Sequence, residues 1–100
     1  MVRYISLLKF THQGAEKMEA STNRARMFQE EAKTAGVQVE GTYWCTGGTY
    51  DGVLILTAEN EHAALQQLVK LRQTGDLTVE SMRLFSPDEF DVLMGLKNDE

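Results

Sequence analysis

The hydrophobic positions of this chain follow two periods, and the switches between them mark its elements. Val2 to Phe10 predicts a strand with apolar groups on both sides: Val2, Tyr4, Ser6, Leu8 and Phe10 on one, Arg3, Ile5, Leu7 and Lys9 on the other. Such a strand suits the centre of a sheet covered on both faces. Thr11 to Gly14 reads as a loop. From Ala15 to Ala35 the period turns helical, with Met18, Ala25, Phe28, Ala32 and Ala35 on one stripe. Ser21, Thr22 and Asn23 interrupt it, because their side chains compete for backbone hydrogen bonds and favour caps. A short turn and then a main helix capped near Ser21 are expected. Gly36 ends that helix by supplying left-handed backbone.

Val37 to Thr46 predicts the second strand. Strict alternation sends Val37, Val39, Gly41, Tyr43 and Cys45 toward the helices and Gln38, Glu40, Thr42, Trp44 and Thr46 away from them. Gly47, Gly48 and Thr49 turn the chain into a third strand, Tyr50 to Thr57. Its unbroken Val53-Leu54-Ile55-Leu56 is a buried-strand pattern. Asn60 is placed to cap a helix from Glu61 to Thr74, with Ala64, Leu65, Leu68, Val69 and Leu71 as its buried stripe and Gly75 as its stop. Leu77 to Phe85 is the fourth strand. Ser86-Pro87-Asp88-Glu89 spells a capping box for a short last helix that brings Phe90, Leu93 and Met94 onto an apolar surface.

The order is βαββαβ plus a C-terminal helix. Right-handed crossovers make it an α+β, ferredoxin-like antiparallel sheet with both main helices on one face. The other face is left bare. With Tyr4, Leu8, Phe10 and Trp44 assigned to it, a second copy packing sheet on sheet is the simplest cover, giving a dimeric α+β barrel.

Composition narrows the partners. The chain has 100 residues, fitting one domain over 1–96 with a polar tail over 97–100. Hydrophobic residues form 42% of it, enough for one modest core. A net charge of −5 with no basic block argues against nucleic acid and against anionic membrane surfaces. No stretch reaches the roughly 20 apolar residues of a membrane span, and the N-terminus lacks a signal-peptide pattern. Cys45 is the only cysteine, so an internal disulfide is impossible and the reducing cytoplasm is expected.

Tyr4-Ile5-Ser6-Leu7-Leu8-Lys9-Phe10-Thr11, Gln13-Gly14, Tyr43-Trp44, Gly48-Thr49-Tyr50-Asp51 and Arg83-Leu84-Phe85 resemble the GYD domain family. The likeness runs from about Tyr4 to Phe90. It implies a ferredoxin-like, oligomerising domain and supplies no activity. Five residues, Cys45 to Thr49, separate Trp44 from Tyr50. That is longer than the family pattern, so the turn is lengthened or bulged, which bears on the aim of Tyr50 and Asp51.

Candidate chemistry is sparse. Tyr4, Ser6, Trp44, Tyr50, Asp51 and Arg83 are the residues expected to line a small-molecule cavity between paired sheets. Their plainer roles are dimer-core packing for Tyr4, Ser6 and Trp44, a carboxylate partner for Arg83, and turn hydrogen bonds for Asp51 with Tyr50 packed on the sheet. His12, Tyr50, Asp51 and Arg83 are the weak catalytic candidates, His12 because a loop histidine titrates near neutral pH. His62 sits near Glu59 and Glu61 without metal-ligand spacing, so no metal or cofactor is expected. Cys45 has no partner in a Cys-x-x-Cys pair, and Gly47-Gly48 is followed by no phosphate-binding Gly-Lys-Ser/Thr. The first expectation is therefore a homo-oligomeric module for a small apolar or aromatic ligand. A cofactor-independent monooxygenase or isomerase is the enzymatic alternative by fold analogy, and a ligand-free assembly or regulatory module is the other.

Overall fold

A computed structural model describes residues 1–98. Strand β1 spans Val2–Phe10, followed by a short helix α1 over His12–Glu16 and a single 3-10 turn over Met18–Ala20. Helix α2 covers Ser21–Thr34, β2 Val37–Trp44, β3 Gly52–Ala58, α3 Glu61–Gln73, β4 Leu77–Leu84 and α4 Pro87–Leu93. The sheet order is β2-β3-β1-β4 with every neighbouring pair antiparallel. This is the expected α+β, ferredoxin-like arrangement. Asp99 and Glu100 of the expected tail lie outside the described residues, whereas Lys97 is tied to Asp88 at 2.8 Å.

Local signals placed most boundaries. Asn60 caps α3 by accepting the Ala63 amide at 2.9 Å. Ser86 and Glu89 close the capping box, and Pro87 occupies the first helical position. Gly36 and Gly75 take φ of 81° and 78° where α2 and α3 end, a conformation costly for any residue with a Cβ. The first helical stretch differs from expectation. The chain turns helical already at His12, because the Thr11 side chain accepts the Gly14 amide. Ser21 does not cap α2; its hydroxyl lies buried and accepts the Trp44 indole N–H at 3.1 Å.

Strand faces are the main correction. Tyr4, Ser6 and Leu8 point beneath the helices, and the core gathers Tyr4, Leu8, Val37, Val39, Leu54 and Leu56 under Ala32, Ala64 and Leu68. Tyr4 can be buried because its hydroxyl donates to Glu61 at the start of α3, 2.6 Å away. The expectation that Tyr4, Leu8, Phe10 and Trp44 lie on the open face is thus overturned. For Trp44 the cause is a β-bulge. The β2–β3 register slips between Val39 and Gly41, so Val39 opposes Leu56 and Thr42 opposes Leu54. Glu40 is the extra residue, and a single insertion reverses the side of every residue after it. Trp44 therefore falls opposite Gly52 on the helix side, and Tyr43 opposite Val53 on the open side, 62% exposed.

The open face carries rows read directly from the register: Gly41, Ile55, Ile5 and Met82, then Tyr43, Val53, Leu7 and Glu80. Its rim is polar, with Arg3 paired to Glu40 at 3.0 Å and Tyr50 donating to Glu80 at 2.5 Å. On α3 the buried positions are Ala64, Gln67 and Leu68, while Leu65 and Val69 of the expected stripe are exposed. Phe90, Leu93 and Met94 also remain about half exposed or more, although the Phe90 ring lies 6.4 Å from that of Phe85. The molecule measures 49 × 31 × 18 Å. Its radius of gyration of 14.9 Å exceeds the roughly 13 Å usual for this length, as a two-layer slab with a projecting terminal helix should.

Candidate functional site

Helix α2 packs over β2 at one edge of the sheet, whereas α3 reaches all four strands, with most of its contact on β4 and β3. The gap between them is a cavity of about 260 Å³ on the helix side of the sheet. Its apolar wall is made by Leu8, Phe10, Phe28, Trp44, Leu54 and Leu71. Each is there for a sequence reason. Leu8 and Phe10 share the inward side of β1, and Leu54 holds the inward side of β3. Phe28 and Leu71 lie on the helix stripes, and the bulge swings Trp44 into place. Trp44 and Met27 are about half exposed and so form the rim.

The charged groups around the cavity are mostly engaged. Asp51 accepts the Phe10 amide through Oδ2 at 2.9 Å, while its backbone N–H donates to Leu8 and its carbonyl accepts from Cys45. Asp76, buried just beneath, is a hub: Gln13 Nε2 donates to it at 2.8 Å, and Lys17 Nζ and Arg24 Nε approach to 2.9 and 3.7 Å. Gln67 differs. It is only 2% exposed, faces the cavity from α3, and its side chain makes no hydrogen bond among the described residues.

The Gln13 hydrogen bond, then Lys17, hold the Asp76 carboxyl below the ordinary carboxylate range, with Arg24 adding to the effect. A lowered folded-state value means that the unfolded chain binds protons more readily, so this contribution to stability is present above the ordinary carboxylate pKa and is lost as pH falls through the lower folded value. Asp76→Asn should therefore lower the melting temperature at neutral pH and flatten its decline below about pH 4. Thermal melts from pH 7 to 3 check this; parallel acid limbs for the two proteins would remove Asp76 as the source.

The residues singled out in the sequence do not converge. Only Trp44 and Asp51 reach the cavity. Tyr4 and Ser6 are sealed between sheet and helices, Tyr4 on Glu61 and Ser6 on the Ser81 hydroxyl at 2.8 Å. Tyr50 is held by Glu80, whereas Asp51 is bound to the Phe10 amide. Arg83 lies in a separate open cleft beside α4. Its guanidinium sits 4.7 Å over the Phe85 ring, and its Nε is buried without a partner among the described residues. His12 is exposed on α1 and pairs with Glu16 at 3.0 Å.

Nor are Tyr4 and Tyr50 activated. Burial and the Glu61 contact raise the Tyr4 hydroxyl above its ordinary pKa, and the Glu80 hydrogen bond does the same for Tyr50. Both stay protonated at neutral pH and serve as donors. Among the described residues, no three His, Cys, Asp or Glu side chains cluster as metal ligands, and no helix is long and apolar enough to cross a membrane.

Sequence reading missed Gln67 and Asp76. Gln67 falls three residues after Ala64 and four before Leu71, so its place on the buried stripe was legible; its polarity argued against it. Asp76 follows a helix-ending glycine and carried no local mark. No curated protein and no solved structure matches the chain. The family profile described as the GYD domain matches residues 4–94. That span takes in the bulged second strand, the cavity wall and the Asp76 hub, and the chain belongs to the GYD domain family.

Proposed function

We propose that this GYD domain protein is a homo-oligomeric module that binds a small, largely apolar molecule. The observation that carries the reading is the cavity of about 260 Å³ between α2, α3 and the sheet. Ligand sites are typically apolar clefts of about 300–1,000 Å³ with a few placed polar groups, so this volume suits a small ligand. The site lies within one protomer, because the bulge turns Trp44 away from the face once expected to hold it.

Self-association rests on the open sheet face. Ile5, Leu7, Tyr43, Val53, Ile55 and Met82 form a continuous apolar field across all four strands. Covering apolar area yields roughly 25 cal/mol per Å², and a two-fold related copy presents the same field in return. The exposed apolar side of α4 offers further surface to the same partner.

Light scattering after size exclusion at micromolar concentration should give the mass of two chains or more, and Ile55→Lys should give one, since a charge would be buried unpaired at the centre of the contact. A monomeric wild type would remove the oligomeric half of the proposal. For the ligand half, small aromatic probes should quench or shift Trp44 emission and raise the melting temperature. A probe series that moves neither signal would remove it.

A further inference from the structure

We infer that the helix-side cavity selects an uncharged, mainly aromatic molecule carrying one hydrogen-bonding head, a hydroxyl or amide, and that Gln67 reads that head. The inference rests on the small-molecule reading above and specifies its ligand. Gln67 is 2% exposed, on the face of α3 that packs against the sheet, and lines the cavity. Its amide offers two donors and an acceptor, none of them taken by another described side chain or backbone group. Gln67 is not among the sealed atoms left without a partner, so its amide is reached from the cavity, and an apolar residue would fill this place in the stripe without needing a polar contact. A cavity-facing amide that the fold does not use is therefore a group kept for an occupant.

The walls set the rest of the ligand. Phe10, Phe28 and Trp44 present ring surface, and Leu8, Leu54 and Leu71 complete an apolar enclosure. Aromatic guests gain from offset or edge-on contact with such rings. The head is neutral because the charged groups that line the cavity are already engaged or lie at its margin. Asp76 is paired with Lys17 and Arg24, Asp51 is bound to the Phe10 amide, and Glu31 and Lys70 are exposed at the margin. A ligand charge beside Gln67 would be desolvated without compensation. One amide, with both donor and acceptor character, suits a phenol, an alcohol or an amide equally.

The test compares phenol with toluene, which share a ring and differ in the hydroxyl. Binding is followed by calorimetry and Trp44 fluorescence on the wild type and on Gln67→Met, a swap that keeps side-chain length and removes the amide. The ratio of phenol to toluene affinity should fall about 10-fold or more in Gln67→Met, the scale on which a hydrogen-bonding site rejects an analogue lacking its group. The ligand-free melting temperature should hold or rise, because the variant breaks no side-chain hydrogen bond among the described residues and puts an apolar group on a buried stripe. Gln67→Leu serves as a second apolar variant with the same expectation. An unchanged ratio in the variants would overturn the role of Gln67 while leaving the cavity as a binding site. So would a marked fall in melting temperature together with an unchanged ratio, which marks Gln67 as structural. Failure of both probes to bind the wild type would overturn this inference together with the small-molecule reading on which it rests.

Discussion

Gly14→Ala should destabilise the protein by about 3 kcal/mol, at the upper end of the cost of forcing one extra carbon into a packed site. A Cβ at residue 14 would stand 1.9 Å from the Asp76 carbonyl oxygen and 2.9 Å from its carbonyl carbon. Both are backbone atoms, so no side-chain rotation relieves the clash. The same oxygen accepts the Thr11 amide at 3.0 Å, and the Thr11 hydroxyl donates to the Gly75 carbonyl at 2.7 Å. Lifting α1 to admit a methyl group would strip these bonds and pull Gln13 from Asp76. The loss would be read as a lower urea midpoint at fixed protein concentration. Gln13→Ala, which leaves the backbone contact intact, should cost much less. A Gly14→Ala midpoint close to that of wild type would show that α1 is not locked against the start of β4 as described.

Leu56→Ala should cost about 2–5 kcal/mol, the usual penalty for emptying a core leucine site. Leu56 is fully buried on β3, opposite Tyr4 on one side and Val39 on the other. Its neighbours sit on paired strands, which cannot collapse into the space without breaking the ladder, so the cavity term is largely retained. Domains of this size are stable by about 5–15 kcal/mol, so the change is a large fraction of the total. Chemical denaturation with an unchanged slope and a shifted midpoint would report it. A loss below about 1 kcal/mol would mean that the helices settle onto β3 and that the core is looser than its burial implies.

Features set by near neighbours are legible in the sequence. Asn60 and Ser86–Glu89 announced their caps, and Gly36 and Gly75 their helix ends, because capping depends on side chains within three or four residues. The inward sides of α2 and α3 were partly legible, since Ala32, Ala64 and Leu68 recur at helical spacing. The side each strand presents was not. Both sides of β1 are apolar, and alternation alone gives no preference between Tyr4-Ser6-Leu8 and Ile5-Leu7. The choice is made by Glu61, which receives the Tyr4 hydroxyl from a helix 57 residues later in the chain.

The candidate site was legible in composition and not in position. Trp44 and Asp51 were marked by their residue types, yet the extra residue at Glu40 set which way Trp44 faces. An insertion in a strand leaves no signature in a pattern of alternating positions, because the pattern simply restarts. Asp76 gains its role from Gln13, Lys17 and Arg24, all more than 50 residues earlier.

The sequence by itself determined the order of the four strands and the main helices, the ends of α2 and α3, the start of α4 and the ferredoxin-like class, because periodicity and capping are settled within a few residues. Only the tertiary structure decided which sheet side is covered, where the cavity opens and which polar groups surround it. Those outcomes depend on partners brought together across the chain, and on one bulge whose effect appears only when β2 is laid against β3.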